Sequence, residues 1–185
     1  MGDVLVTRVF VRVMAPAANE RLEYAPRTDF DMFAPMRGKD ETRQLHQEFY
    51  HGLGQRMKRH HSADGSRVRW TTYRTGLREV YFRLEADGRV ARVCIDLQHK
   101  DAGIRELFFE QFQELRLLLE DALGPGVEWE ARHFLRSGKE IARIGVTLGG
   151  LNIYDRMHWS KLWDFFEEKM LALDAFRVDV QKVFY

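Results

Sequence analysis

The sequence predicts an α+β fold: an antiparallel sheet of about five strands covered by helices, in the order α-βββ-α-ββ-α, with a candidate extra strand at the N-terminus. Two observations carry this reading. Three segments with alternating apolar residues follow one another between Trp70 and Leu97. A broad apolar stripe at helical spacing then runs from Glu106 to Leu123. A sheet with one apolar face and a helix with one apolar stripe must bury those surfaces against each other.

The chain opens on an apolar run, Val4 to Met14, interrupted by Arg8 and Arg12. Pro16, Pro26 and Pro35 then follow among small and charged residues, the composition of a linker. Residues 1–38 are therefore read as an N-terminal arm, or as residues ahead of a true start at Met32 or Met36. Residues 39–185 are read as a single α+β domain. Its first helix begins near Asp40, a good N-cap, with Glu41 in the first turn. Leu45, Phe49, Leu53 and Met57 recur on one face. Arg56, Lys58 and Arg59 suit the negative end of the helix dipole.

In the first strand Val68, Trp70 and Thr72 point inward. In the second, Val80, Phe82 and Leu84 alternate with Glu79, Tyr81, Arg83 and Glu85; in the third, Ala91, Val93, Ile95 and Leu97 alternate with Arg92, Cys94, Asp96 and Gln98. Asp87-Gly88 between these two favours a tight hairpin. One sheet face is apolar and the other polar, as expected where helices cover one side. The second helix carries Phe108, Phe112, Leu115, Leu119 and Ala122, widened by Leu107, Leu118 and Leu123, and stops at Gly124-Pro125-Gly126. Two strands follow, with Val127, Trp129 and Ala131 inward in one and Ala142, Ile144, Val146 and Leu148 inward in the other. Ser137-Gly138-Lys139 forms the turn between them. A last helical region holds Trp159, Leu162, Trp163, Phe166 and Met170, with Asp155 as N-cap, and restarts at Asp174 to bury Phe176, Val180 and Phe184.

Composition narrows the function classes. Hydrophobic residues are 45%, charged residues 31% and the net charge +1, so no global field draws the chain to nucleic acid or to an anionic membrane. The lone Cys94 excludes an intramolecular disulfide and a multi-cysteine zinc site, which fits a reducing cytoplasm. No apolar run has the length of a membrane span, and no membrane partner is expected.

Four constellations bear on chemistry. The first is a metal-dependent nuclease site. A helix, a three-stranded meander and a helix also open many restriction-type cores, which need two carboxylates and a nearby lysine. Asp96 and Gln98, with Lys100 two residues on and Glu79 or Glu85 alongside, are the nearest match. Gln98 stands where an acid is preferred and Lys100 is misplaced, so Asp96 is read instead as pairing with Arg83 or Arg143 on a solvated face. The second is an arginine and aromatic face of Arg69, Tyr81, Arg83, Arg92, Arg132 and Arg143, the residue types that hold single-stranded nucleic acid. Glu79, Glu85, Asp96, Glu128 and Glu130 share that face, which favours cross-strand ion pairs. The third is histidine. His46 and His51 are poorly spaced for a helical metal site, and His60-His61 follow the helix end, so no metal or cofactor is expected. The fourth is Trp159 with Trp163, on a helix apolar over enough of its circumference to pack twice, which makes the pair candidate interface residues.

The stretches Gln47 to Tyr50, Trp70 to Gly76, Val80 to Arg83, Glu106 to Phe112, Trp129-Glu130 and Leu173 to Phe176 together resemble a bacterial family of unknown function, the domain-of-unknown-function family 4268. The resemblance runs from about Thr42 to Phe184, and departs from the family where Trp gives way to Tyr50. It implies a fold and no catalytic residues. In longer relatives such a domain follows a nuclease-like one, which implies an association with DNA-related biology. The residues thus point to an accessory or binding module, leaning away from an enzyme, that acts as a homodimer or through a protein partner. Nucleic acid is a weaker candidate partner, and a degenerate metal-dependent nuclease is the alternative.

Because few periodic apolar residues precede Asp40, a chain beginning at Lys39 is expected to melt within about 5 °C of the full chain. A larger fall in a thermal melt would make the arm an integral strand.

Overall fold

The computed structural model describes residues 38–181. By its contacts the chain separates into Met1–Met36 and Arg37–Tyr185. The expected arm, its candidate strand and the burial of Phe184 lie outside the described residues.

Helix α1 spans Lys39–Met57 and buries Leu45, Phe49, Leu53 and Met57, the face its periodicity predicts. Its N-cap position is Gly38, with no side-chain cap; Asp40 and Glu41 occupy the first turn. The hairpin β1 (Val80–Ala86) and β2 (Val90–Leu97) forms as expected, with Ala86 opposite Ala91. Asp87 closes the turn: its N–H donates to Val90 O and its carboxylate accepts from the N–H groups of Arg89 and Val90. Helix α2 (Ala102–Glu114) is capped by Asp101, whose Oδ1 accepts from Ile104 N. Then come α3 (Arg116–Leu123), β3 (Glu128–Phe134), β4 (Glu140–Gly149) and the long α4 (Trp159–Val180). The fold is α+β, with four antiparallel strands in the order β1-β2-β4-β3.

The structure departs from the sequence reading at four places. Trp70 to Tyr73 is not a strand: Trp70–Thr72 is a single 3-10 turn. Its buried residues, Trp70 and Tyr73, are three apart, while Thr72 is exposed. The period is therefore three rather than two. Trp70 Nε1 donates to His60 O, and the Tyr73 ring stacks on Phe82. The sheet accordingly has four strands, not five, among the described residues.

The helix expected over 106–123 starts earlier and breaks at Leu115 into α2 and α3. The break rotates the buried set to Phe109, Phe112, Leu119 and Leu123, and leaves Leu107 and Leu118 exposed. The last helix does not restart at Asp174. It is continuous, and Asp155 caps the short 3-10 turn Arg156–His158 instead. β3 carries a bulge between Glu130 and His133, which leaves Ala131 exposed.

One core lies between the sheet and the helices. It contains Phe49, Phe82, Val93, Ile95, Phe112, Leu119, Ile144, Leu162, Phe166 and Met170. Two polar clusters lock its periphery. Asp174 is 1% exposed and accepts from Ser62 Oγ (2.6 Å), Ala63 N (2.5 Å) and the Tyr73 hydroxyl, which ties the loop after α1 to α4. Of the basic residues expected at the end of α1, Lys58 bonds to Gln55 Oε1, while Arg56 and Arg59 reach across to α4 together with His60. Arg56, Arg59 and His60 all converge on Glu167 of α4, each at 2.5 Å.

Burial raises the Glu167 pKa, but hydrogen bonds from Arg59, His60 and Arg56 prevail and hold it at about 2, below its ordinary 4.5. A lowered carboxylate pKa contributes stability above the unfolded value and loses it as pH falls through the folded value. Stability should therefore fall as pH drops from about 4.5 toward about 2. Acid titration of the melting temperature checks this, and Glu167→Gln should flatten the slope in that window.

Candidate functional site

The outer face of the sheet, away from the helices, holds most of the sequence-level site residues. The antiparallel register aligns Tyr81, Asp96, Arg143 and Glu130 in one cross-strand row, and Arg83, Cys94, Gly145 and Glu128 in the next. Asp96 and Arg143 therefore face each other on the two central strands. Arg143 Nε donates to Asp96 Oδ1 at 2.7 Å and its Nη2 to Oδ2 at 3.0 Å. The same guanidinium reaches both oxygens of Glu85, at 3.1 and 2.8 Å. Gly145 leaves no room for even a Cβ, which would stand 2.6 Å from Val93 O and 2.9 Å from Cys94 Sγ.

This layer is not the solvated face its polarity predicts. Asp96 is 1% exposed and Arg143 7%, with Cys94 and Gln98 also buried. Part of the cover comes from long side chains reaching over short ones. Arg83 stacks on Tyr81 and brings its Nε within 3.9 Å of Asp96. The cross-strand pairing expected of Asp96 with Arg143 is present, but in a dry layer.

The nuclease candidates do not form an open acid cluster: Asp96 and Glu85 meet on the Arg143 guanidinium, which takes both carboxylates. Asp96 already holds a guanidinium on both oxygens. Gln98 donates weakly to Asp96 and accepts from Lys139 Nζ at 3.0 Å. Lys100 is exposed beyond the end of β2. Glu79 precedes β1 in left-handed backbone, φ 61°, and its carboxylate accepts from the Tyr81 hydroxyl. Among the described residues, no group of three or more His, Cys, Asp or Glu side chains is arranged to hold a metal ion.

The arginine set is also divided. Arg69 flanks the 3-10 turn and lies outside the sheet. The bulge in β3 carries Arg132 to Glu140, which also holds Arg105 of α2. Tyr81, Arg83, Arg92 and Arg143 keep the outer face. Trp159 and Trp163 belong to the internal packing between α4 and α1. Both rings lie against Phe49, and their indole N–H groups donate to Ile153 O and Phe49 O. The second side of α4 is thus covered by α1.

Sequence reasoning missed a groove of about 810 Å³ over this face. Its floor is Cys94, Arg143 and Gly145; one wall is His46 and Tyr50 of α1, and the other is the β3–β4 hairpin with His133, Phe134 and Arg136. Three distant segments meet there, so no local motif announces it. Tyr50 closes the free edge of β1: its hydroxyl donates to Leu84 O and is also hydrogen-bonded to the Ala86 backbone. Thr75 Oγ1 does the same for Val80 O. These side chains occupy positions that a further strand would need. Burial, with the Glu85 charge, pushes the Tyr50 hydroxyl up to about 12. Burial likewise pushes the Cys94 thiol up to about 12, so it stays protonated near neutral pH and is a poor nucleophile.

Removing one partner of a buried ion pair strands the other charge. Arg143→Met should therefore cost about 3–5 kcal/mol in urea unfolding. The double variant Asp96→Asn/Arg143→Met should be more stable than that single variant. A double variant no more stable than the single one would show that packing, not charge, sets the cost.

No curated protein and no solved structure matches the chain. A family model described as Domain of unknown function (DUF4268) matches residues 45–181, which takes in every helix and strand described above, α1 from its seventh residue onward. The chain belongs to that family.

Proposed function

We infer that this is a non-catalytic binding module that acts by holding a partner in the groove above the outer sheet face. One observation carries the reading: the acid best placed for chemistry, Asp96, is buried and bound on both oxygens by Arg143, while the open groove beside it is lined by Arg143 and not by Asp96. A catalytic carboxylate must reach a metal, a proton or a substrate. Asp96 reaches a permanent counter-ion instead.

The groove itself is bipolar. Arg92 and Arg136 lie toward Asp87, whose carboxyl they help to hold below its ordinary value together with the turn N–H groups, against the opposing effect of burial. Glu128 and Glu130 lie on β3, where they meet Thr147 Oγ1 and His133. Mixed charge with the aromatic rings of Tyr50 and Phe134 suits a polar protein segment better than a polyanion, which would require a surplus of basic groups. Partner binding is also better supported than self-association through Trp159 and Trp163, because both indoles are spent on α1 and on the loop before α4. A bacterial cytoplasm, with no cofactor, remains the setting we propose. No described helix is long and apolar enough to cross a membrane.

The competing proposal, a metal-dependent nuclease, is tested directly. The full chain with magnesium or manganese is expected to leave single- and double-stranded DNA and RNA intact. Metal-dependent cleavage that disappears in Asp96→Ala would replace the module reading with the nuclease.

A further inference from the structure

A net charge of +1 over the whole chain hides a local imbalance in the loop between α1 and β1. Arg67, Arg69, Arg74 and Arg78 stand exposed there, and no hydrogen bond or ion pair engages their guanidinium groups among the described residues. Residues 67–78 contain no acid. The acids that flank them are committed. Asp64 holds Arg177 and the Ser66 N–H, and the half-buried Glu79 accepts from the Tyr81 hydroxyl. None of the four arginines lines the groove.

The loop sorts its side chains by type. Trp70, Tyr73 and Thr75 are buried, and Val68 and Leu77 pack against the core. What stays exposed between these anchors is the four arginines with Thr71, Thr72 and Gly76. No aromatic ring, leucine or carboxylate interrupts that exposed run. The anchors are also hydrogen-bonded. Trp70 Nε1 donates to His60 O, the Tyr73 hydroxyl to Asp174, and Thr75 Oγ1 to Val80 O. A loop held in this way loses little conformational freedom when its charges are engaged.

We propose that this arginine-lined loop is a contact surface for the phosphate backbone of double-stranded nucleic acid. Guanidinium groups bind phosphate oxygens through paired hydrogen bonds, and threonine hydroxyls donate to the same oxygens. The composition selects this occupant over three others. A protein partner draws its affinity from central apolar or aromatic anchors, and this run exposes none. A lipid surface is entered by aromatic or leucine side chains, which the loop turns inward. Single strands are held by bases stacked on open rings, whereas Trp70 and Tyr73 are buried. Charge alone remains, and a duplex offers a dense array of it, one phosphate per about 1.7 Å of axis. Contacts of this kind position the protein and read no sequence.

The test uses the full chain without divalent metal and a labelled DNA duplex of about 20 base pairs, roughly two helical turns. Fluorescence anisotropy is read over a series of salt concentrations. Binding is expected, and its log–log salt slope should be about −3 to −4, the value for four phosphate contacts. Arg69→Gln with Arg74→Gln should weaken binding about tenfold or more at low salt and reduce the slope by about 2. Arg43→Gln with Lys161→Gln removes the same charge from exposed positions on α1 and α4. Each lies about 20 Å along its helix from the part that meets the loop, beyond the Debye length, so affinity should stay within about twofold. All four positions are exposed, so melting curves should be unchanged. No binding at low salt, equal weakening by both pairs, or tighter binding of the single strand would overturn the proposal. So would tighter binding of polyglutamate, which would give the surface to an acidic protein segment. Tighter binding of phosphatidylserine vesicles would overturn it in favour of a membrane. Both variants leave every groove residue in place, so these outcomes are independent of the groove reading.

Discussion

The two central strands, β2 and β4, are buried on both faces, and most of the molecule's character follows from that. On the helix side the cover is apolar: Val93, Ile95, Ile144 and Val146 meet Phe112, Leu162, Phe166 and their neighbours. On the other side the same strands carry Asp96 and Arg143, which are as dry as the core. A lone carboxylate there would be costly to desolvate, and so would a lone guanidinium. Facing each other across one ladder position, they satisfy each other with two hydrogen bonds, and Glu85 takes the remaining valence of Arg143. Such a pair is weak evidence for net stability, but it tolerates only one strand register.

That constraint also bears on function. A site that performs acid or metal chemistry keeps a charged group poised and incompletely satisfied. Here the central charged groups are fully satisfied and screened by Arg83 and Tyr81. At the rim of the groove the charged groups pair at the surface instead, Glu130 with His133 and Arg92 with Asp87.

Helix α4 links the polar and apolar layers. It packs on the sheet through Leu162, Phe166 and Met170 and takes α1 along its other side through Trp159 and Trp163. Its two buried acids, Glu167 and Asp174, have separate duties. Glu167 gathers the basic end of α1, while Asp174 gathers Ser62, Ala63 and Tyr73. Arg177 completes the second cluster by donating to the Tyr73 hydroxyl and to Asp64. The loop between α1 and β1 is thus held by polar contacts with α4 rather than by strand pairing, which is why the segment around Trp70 turns instead of extending.

The amino-acid sequence by itself determined the fold class, the burial face of α1, the Asp87-Gly88 hairpin, the inward residues of β1, β2 and β4, and the family. These are local: periodicity of apolar residues and turn chemistry act within a few positions and are visible in one dimension. It also anticipated that Asp96 would pair with Arg143. Tertiary structure alone decided that this pair is dry and that Asp174 is a buried acceptor within one continuous helix rather than the point where the helix restarts. It also decided that Trp159 and Trp163 face α1, and that a groove forms between His46, Cys94 and Arg136. Each of these depends on segments distant in the chain, through burial and through which donors a carboxylate meets. A polar residue looks the same in sequence whether water or a guanidinium satisfies it, and only packing distinguishes the two.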